Sequence, residues 1–188
     1  MTKLALLSPT RPRPTLPRAP ILVAGVATVA VLGAGGVLTG MGFGPWYERL
    51  RKPSWQPPGW LFGPAWSTIG VLTATSAVIA WDRAKSREDR TRIVGTFAAN
   101  GSLNAGWSGL FFALRRPDWA LAEVVPLWVS VAGMIRAVAP VSRRAAWLLA
   151  PYLAWVSFAA VLNGEIVRLN APFGQRDEGE ATITGHGG

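Results

Sequence analysis

The sequence alternates long uncharged stretches with short charged segments, and this pattern constrains the fold more than any other feature. Asp, Glu, Lys and Arg are all absent from residues 19–47, 61–81 and 93–114. About 20 apolar residues in a helix span the hydrocarbon core of a bilayer. The sequence therefore predicts an all-α integral membrane bundle of five transmembrane helices, at about residues 21–39, 61–81, 93–114, 119–135 and 145–166.

The two ends of the chain differ in composition from the predicted membrane domain, residues 21–170. Residues 1–20 are rich in Pro and Arg, and residues 171–188 are rich in Gly and acidic side chains. Such compositions predict a disordered basic arm and a disordered tail. A basic arm before an apolar stretch is also the pattern of a cleaved signal peptide, which is the competing interpretation of residues 21–39.

Composition excludes several classes of function. The chain carries ten Trp beside two Tyr and a net charge of +9, but its basic residues lie scattered between apolar stretches. Nucleic-acid binding requires a clustered basic face, so we expect no nucleic-acid partner. With no Cys and a single His, a metal site or a Ser–His–Asp triad is not expected, and no side chain is predicted to be catalytic.

The distribution of Lys and Arg predicts an orientation. These residues are more frequent in the N-terminal arm and in residues 82–92 and 136–144 than in the segments between. Positively charged loops stay on the cytoplasmic side. The N-terminus is therefore predicted to be cytoplasmic.

Polar side chains form stripes on two of the predicted helices. One stripe has helical spacing and consists of Asn100, Asn104 and Ser108, and the other consists of Tyr152, Trp155, Ala159 and Asn163. Asn and Ser bond neighbouring helices together in membranes, which is one interpretation. A pocket walled by Trp and Asn for a flat, partly polar ligand is the other. Glu123, near the start of the fourth predicted helix, is expected at the membrane interface, and it is the only acidic residue that could instead lie well inside the membrane.

Motifs in three separate segments resemble one known family. The first loop and second helix carry Trp46-Tyr47, Leu50, Lys52-Pro53, Trp55, Pro57-Pro58, Phe62 and Trp66. The third helix carries Leu103-Asn104, Trp107-Ser108 and Phe111-Phe112. The last helix carries Leu149, Pro151-Tyr152, Trp155, Phe158-Ala159 and Leu162-Asn163. In this order they resemble the tryptophan-rich sensory protein / translocator protein (TspO/MBR) family over roughly residues 21–170.

The resemblance implies a five-helix bundle, often homodimeric, with a pocket beneath the first loop. Family members bind porphyrins such as protoporphyrin IX, and many bind cholesterol or synthetic planar ligands. No cofactor is implied, since the porphyrin is a ligand. The residues that the resemblance places around the pocket are Trp66, Asn104, Trp107, Trp128, Trp155 and Ala159. Those that it places in the closing loop are Trp55, Pro57 and Pro58.

The sequence departs from the family pattern at several positions. Gly70 stands where the second helix commonly has Tyr, which would reshape the pocket, and Asn100 stands at a common Gln position. Residues 162–165 lack the Tyr of the animal cholesterol-recognition pattern. Cholesterol recognition is therefore not implied for this chain.

Three functions stay open on the sequence alone. The favoured one is a receptor-like protein of the bacterial inner membrane that senses or regulates tetrapyrroles, with lipid and a second copy of the chain as partners. The alternatives are light-dependent porphyrin degradation and transport of a small molecule.

Overall fold

The computed structural model describes residues 44–174, and within them it is helical, without strands. The helices are α1 (Pro45–Arg49), α2 (Phe62–Arg83), α3 (Arg87–Ser108), α4 (Pro117–Val138), α5 (Arg143–Leu148) and α6 (Ala150–Asn170). A short 3-10 turn at Gly59–Leu61 leads into α2, and a π-helical turn at Gly109–Ala113 continues α3. The predicted arm, the predicted first crossing at residues 21–39 and residues 175–188 lie outside the described residues.

Three helical stretches of the described chain are long and apolar enough to cross a membrane: Gly59–Arg83, Pro117–Val138 and Arg143–Asn170. Helix α3 is not among them, because its first two turns are charged and it carries Asn100 and Asn104 further along. A third crossing over residues 93–114 therefore remains a prediction, as do the other parts of a five-crossing topology.

Helix α3 begins at Arg87 rather than at Ile93. The side chain of Ser86 accepts a hydrogen bond from the backbone N–H of Asp89 at 3.0 Å, which caps the first turn. Glu88 and Asp89 stand in that turn, where the helix dipole favours negative charge. Hydrophobicity alone placed the start too late, since the capping signal lies in a charged segment.

The helix predicted at residues 145–166 is divided in two. The short α5 ends at Leu148 and α6 begins at Ala150. Pro151 has no backbone N–H, so it suits the first turn of a new helix and not the interior of a continuous one. The break turns α5 against α2, where the Ser76 hydroxyl donates to the Ala145 carbonyl at 2.8 Å.

The buried core consists of three clusters along the bundle. The first lies where α2 meets α3 and α4 meets α5, and includes Ala80, Ile93 and Met134. The middle cluster includes Val124 and Tyr152 from α4 and α6. The third lies at the loop end and is built from Phe111, Phe112, Ala120, Leu162 and Ile166. The candidate site lies between the middle cluster and the first loop.

Candidate ligand-binding site

The first loop is fastened to the end of α6 by one side chain. The Asn170 amide donates to the Arg51 carbonyl at 2.8 Å, and its oxygen accepts from the Arg51 backbone N–H at 2.8 Å. Two reciprocal bonds fix both the position and the direction of the loop backbone. Asn170 also donates to the Ile166 carbonyl within its own helix, which holds the amide in place.

Lys52 stabilises the short helix α1, which precedes Arg51 in the chain. Its ammonium group donates to the Tyr47 carbonyl at 2.6 Å and lies 4.4 Å from the centroid of the Tyr47 ring. The Tyr47 ring in turn packs against Phe112, with 5.9 Å between ring centroids. Burial raises the pKa of the Tyr47 phenol. The loop is thus anchored to the third core cluster at the same end of the bundle.

Six aromatic side chains, which we call the central aromatic cluster, run from the loop into the bundle. They are Trp55, Phe62, Trp66, Tyr152, Trp155 and Phe158. At the loop end Trp55 contacts Phe158 at 6.1 Å between centroids, and Phe158 contacts Trp155 at 5.4 Å. Phe62 meets Trp155 at 5.6 Å. Trp155 therefore joins the loop side of the cluster to helix α2.

The inner half of the cluster ends on a buried hydrogen bond. Trp66 contacts Trp155 at 6.4 Å and Tyr152 at 6.1 Å, both edge to face. The Asn104 amide donates to the Tyr152 hydroxyl at 3.0 Å, and both side chains are buried. Helices α2, α3 and α6 thereby contribute to one group of side chains that is aromatic with a single fixed polar end.

The second Asn of the α3 stripe bonds to a different helix. The Asn100 amide donates to the Ser130 hydroxyl of α4 at 2.8 Å. Asn163 on α6 also reaches α4: in the amide orientation that satisfies both groups, it donates to the Pro117 carbonyl and accepts from the Leu121 N–H. These contacts support the interpretation of Asn100 and Asn163 as bonds between helices.

A sequence profile of the TspO/MBR family matches residues 22–169. The chain belongs to the TspO/MBR family. It is 40% identical over 143 residues to tryptophan-rich protein TspO of Chlorobaculum tepidum, covering 76% of this chain and 90% of that protein. It is 35% identical over 125 residues to tryptophan-rich sensory protein of Cereibacter sphaeroides, covering 66% and 77%. It is 34% identical over 119 residues to human translocator protein, covering 63% and 70%.

The structure brings together most of the residues that the family resemblance implies for a pocket. Trp66, Trp107 and Trp155 pack against the middle core cluster, where Asn104 meets Tyr152. Ala159 lies one helical turn beyond Trp155 and is partly buried. On the loop, Trp55 joins through its ring contact, and Pro57 and Pro58 follow it along the chain towards α2.

Trp128 lies apart from this group. It is 40% exposed, and its indole N–H donates to the Ser157 hydroxyl at 2.8 Å on an exposed face between α4 and α6. Its neighbour Leu127 points into the middle cluster instead. Adjacent residues on a helix are rotated by about 100° from each other, so Trp128 lies at the edge of the face that Leu127 buries.

Three members of the central aromatic cluster are not among the site residues predicted from the sequence: Phe62, Tyr152 and Phe158. The signal was present for all three, because each belongs to the family motifs and Tyr152 shares a helical face with Trp155. The described residues contain no group of three His, Cys, Asp or Glu side chains placed to hold a metal ion.

Proposed function

We propose that this protein binds a planar tetrapyrrole of the protoporphyrin IX type within the membrane, and that binding senses or regulates tetrapyrrole levels. The observation that carries the proposal is the central aromatic cluster, which runs from Trp55 on the loop to Tyr152 in the bundle and ends on Asn104. A relative carries the name tryptophan-rich sensory protein, which supports a sensing role.

The geometry of the cluster suits a flat aromatic ligand. The contacts of Trp66 with Tyr152 and Trp155 are edge to face, so Trp66 is not stacked face to face on either ring. Each aromatic pair formed with a ligand contributes about 0.5–1.5 kcal/mol beyond its buried area. Asn104 and Tyr152 supply the few fixed polar groups that orient a ligand in an apolar pocket.

Basic side chains at the mouth of the loop suit the propionates of a porphyrin. Arg49 and Arg51 are exposed, whereas the Lys52 ammonium is engaged by backbone carbonyls. We therefore assign the propionate contacts to Arg49 and Arg51. Guanidinium groups bind carboxylates through two parallel hydrogen bonds, which makes Arg the better partner.

A titration of the purified protein in detergent tests this function. Protoporphyrin IX is added in the dark and Trp fluorescence is followed to obtain a dissociation constant. We expect saturable quenching, with weaker binding in Trp155→Phe and Asn104→Ala. Trp147→Phe is the matched control, since Trp147 is 75% exposed and lies on α5 outside the cluster. Quenching that does not saturate, or equal affinity in all variants, would contradict the proposal.

Light-dependent porphyrin degradation is the second candidate. It is favoured by the contacts of both Trp55 and Trp155 with Phe158, which would put two oxidisable indoles beside a bound porphyrin. Illumination of the complex in the presence of oxygen should then produce new absorption bands that are lost in Trp55→Phe. Spectra that stay the same under light and oxygen would exclude this activity.

We also propose that the protein is a homodimer in the bacterial inner membrane with its N-terminus in the cytoplasm. The exposed small residues Gly95, Ala98, Ala99, Ser102 and Gly106 of α3 support close approach of a second copy. An impermeant thiol reagent should then fail to label Arg143→Cys in intact cells, because exposed Arg143 would lie on the cytoplasmic side. Ready labelling of Arg143→Cys would contradict this orientation. A monomeric mass measured by light scattering in detergent would contradict the homodimer.

A further inference from the structure

Glu123 differs from every other acidic side chain on α4 and α6. The two others are held in ion pairs, Arg116–Asp118 and Arg168–Glu165. Both carboxyl oxygens of Glu123 are shielded from solvent and have no hydrogen-bond partner among the described residues. A buried polar group without a partner costs stability, more so in an apolar environment. The position therefore calls for a partner that the described chain does not supply.

The indole N–H of Trp107 is a second buried polar group without a partner among residues 44–174. Its ring is stacked on Phe111 at 5.1 Å between centroids, so its position is fixed by packing. An unpaired donor and an unpaired acceptor thus occur on two helices, α3 and α4, that pack against each other.

The two groups lie at the same level of the bundle. Asn100 contacts Ser130, and Glu123 Oε1 lies 3.9 Å from where a Cβ on Gly106 would stand. Residue numbers rise along α3 as they fall along α4, so these helices are antiparallel. Seven residues make about two helical turns. Trp107 is seven residues after Asn100 on α3, so it lies on the same face of α3 as Asn100. Glu123 is seven residues before Ser130 on α4, so it lies on the same face of α4 as Ser130. Trp107 and Glu123 therefore lie on the two faces that meet in the Asn100–Ser130 contact.

We propose that Trp107 and Glu123 form a subsite for a hydroxyl group of the bound ligand. A hydroxyl donates to the carboxyl and accepts from the indole N–H, so one group satisfies both. An ammonium group lacks the acceptor and a carbonyl lacks the donor. The inference rests on the proposed tetrapyrrole site, because Trp107 packs against the same core cluster as Trp66 and Trp155. A trapped water has the same chemistry and is the other source of the hydroxyl.

Two porphyrins provide the matched probe. Haematoporphyrin IX differs from protoporphyrin IX only in carrying 1-hydroxyethyl groups in place of the two vinyl groups. Dissociation constants for both are measured in the dark with wild-type protein and with Glu123→Leu, Trp107→Phe and Ser130→Ala. The readout is the ratio of the two constants, which cancels changes that affect both porphyrins equally. Ser130→Ala is the control, since it lies on the same face of α4 two turns away.

We expect Glu123→Leu to reduce the relative preference for haematoporphyrin by about tenfold, the effect of losing one hydrogen bond to a charged group. Trp107→Phe should reduce it by a smaller factor, and Ser130→Ala should leave it unchanged. If Glu123→Leu does not fold, the ratio of the two dissociation constants in Trp107→Phe tests the subsite instead.

An unchanged ratio in Glu123→Leu and Trp107→Phe would overturn the subsite and would mean that only water meets these groups. Protoporphyrin IX binding that still depends on Trp155 would then leave the proposed function intact. Failure of the wild-type protein to bind either porphyrin would overturn the proposed function and the subsite with it.

Discussion

The Asn104 amide donates to the Tyr152 hydroxyl at 3.0 Å between two helices, and both residues are buried. This bond closes the inner end of the central aromatic cluster. It also joins the two polar stripes that are visible in the sequence, because Asn104 belongs to one and Tyr152 to the other. A single contact thus serves both interpretations of those stripes: it bonds two helices and places a polar group at the end of an aromatic site.

Removing this bond should weaken the fold by a modest amount. We expect Tyr152→Phe to lower the free energy of unfolding by about 1 kcal/mol, as for other hydrogen bonds between membrane helices. The double variant with Asn104→Ala should lose less than the sum of the single variants, because the two side chains share one interaction. Unfolding in detergent measures all three. Additive losses would show that the bond contributes nothing.

Asn163 is expected to behave as a structural residue. It is 1% exposed, and its amide bonds the first turn of α4. Asn163→Leu should therefore lower the free energy of unfolding by about 1 kcal/mol while leaving the dissociation constant of protoporphyrin IX unchanged. If Asn163→Leu keeps full stability but loses binding of protoporphyrin IX, Asn163 is a ligand-binding residue and not a structural one.

Asn170 should control the loop. Asn170→Ala removes both bonds to Arg51, so we expect faster hydrogen exchange at the Arg51 amide and weaker binding of protoporphyrin IX. Asn170→Asp keeps an acceptor for the Arg51 N–H and loses the donor, and it should give an intermediate rate. Equal exchange in the wild type and both variants would show that the loop is held elsewhere.

The raised pKa of Tyr47 predicts that the folded protein loses stability at alkaline pH. Burial raises the pKa of its phenol above the ordinary value of 10.0. As the pH rises past that value, the unfolded chain releases the phenolic proton before the folded protein does. The stabilising contribution is thus complete below the ordinary pKa and is lost as the pH rises through the folded one. Between about pH 8 and about pH 11, the wild type should lose more thermal stability than Tyr47→Phe. Parallel losses would contradict this.

The sequence allowed helical faces to be predicted but not their partners. Spacing placed Asn100 and Asn104 on one face of α3, yet they bond to α4 and α6 respectively, which depends on how the helices pack. The resemblance implies Trp128 in the site, which stays a prediction, while in the structure its indole bonds to Ser157 and its neighbour Leu127 packs in the middle cluster. Neither outcome can be derived from periodicity within one helix.

The attachment of Asn170 to Arg51 left no trace in the sequence. The two residues are 119 positions apart, and neither belongs to a recognisable spacing. By contrast, the start of α3 at Arg87 had a local signal in Ser86, the residue that caps it. Local capping can thus be predicted from the sequence, whereas a long-range contact depends on the assembled fold.

The most direct test of a tryptophan-lined tetrapyrrole site compares two tryptophan variants in one measurement. The dissociation constant of protoporphyrin IX is determined in the dark for the wild type, for Trp155→Phe and for Trp147→Phe. Trp155 lies at the centre of the aromatic cluster, while Trp147 is exposed on α5. A tetrapyrrole site lined by Trp155 predicts weaker binding in Trp155→Phe alone. Equal dissociation constants in all three proteins would contradict it.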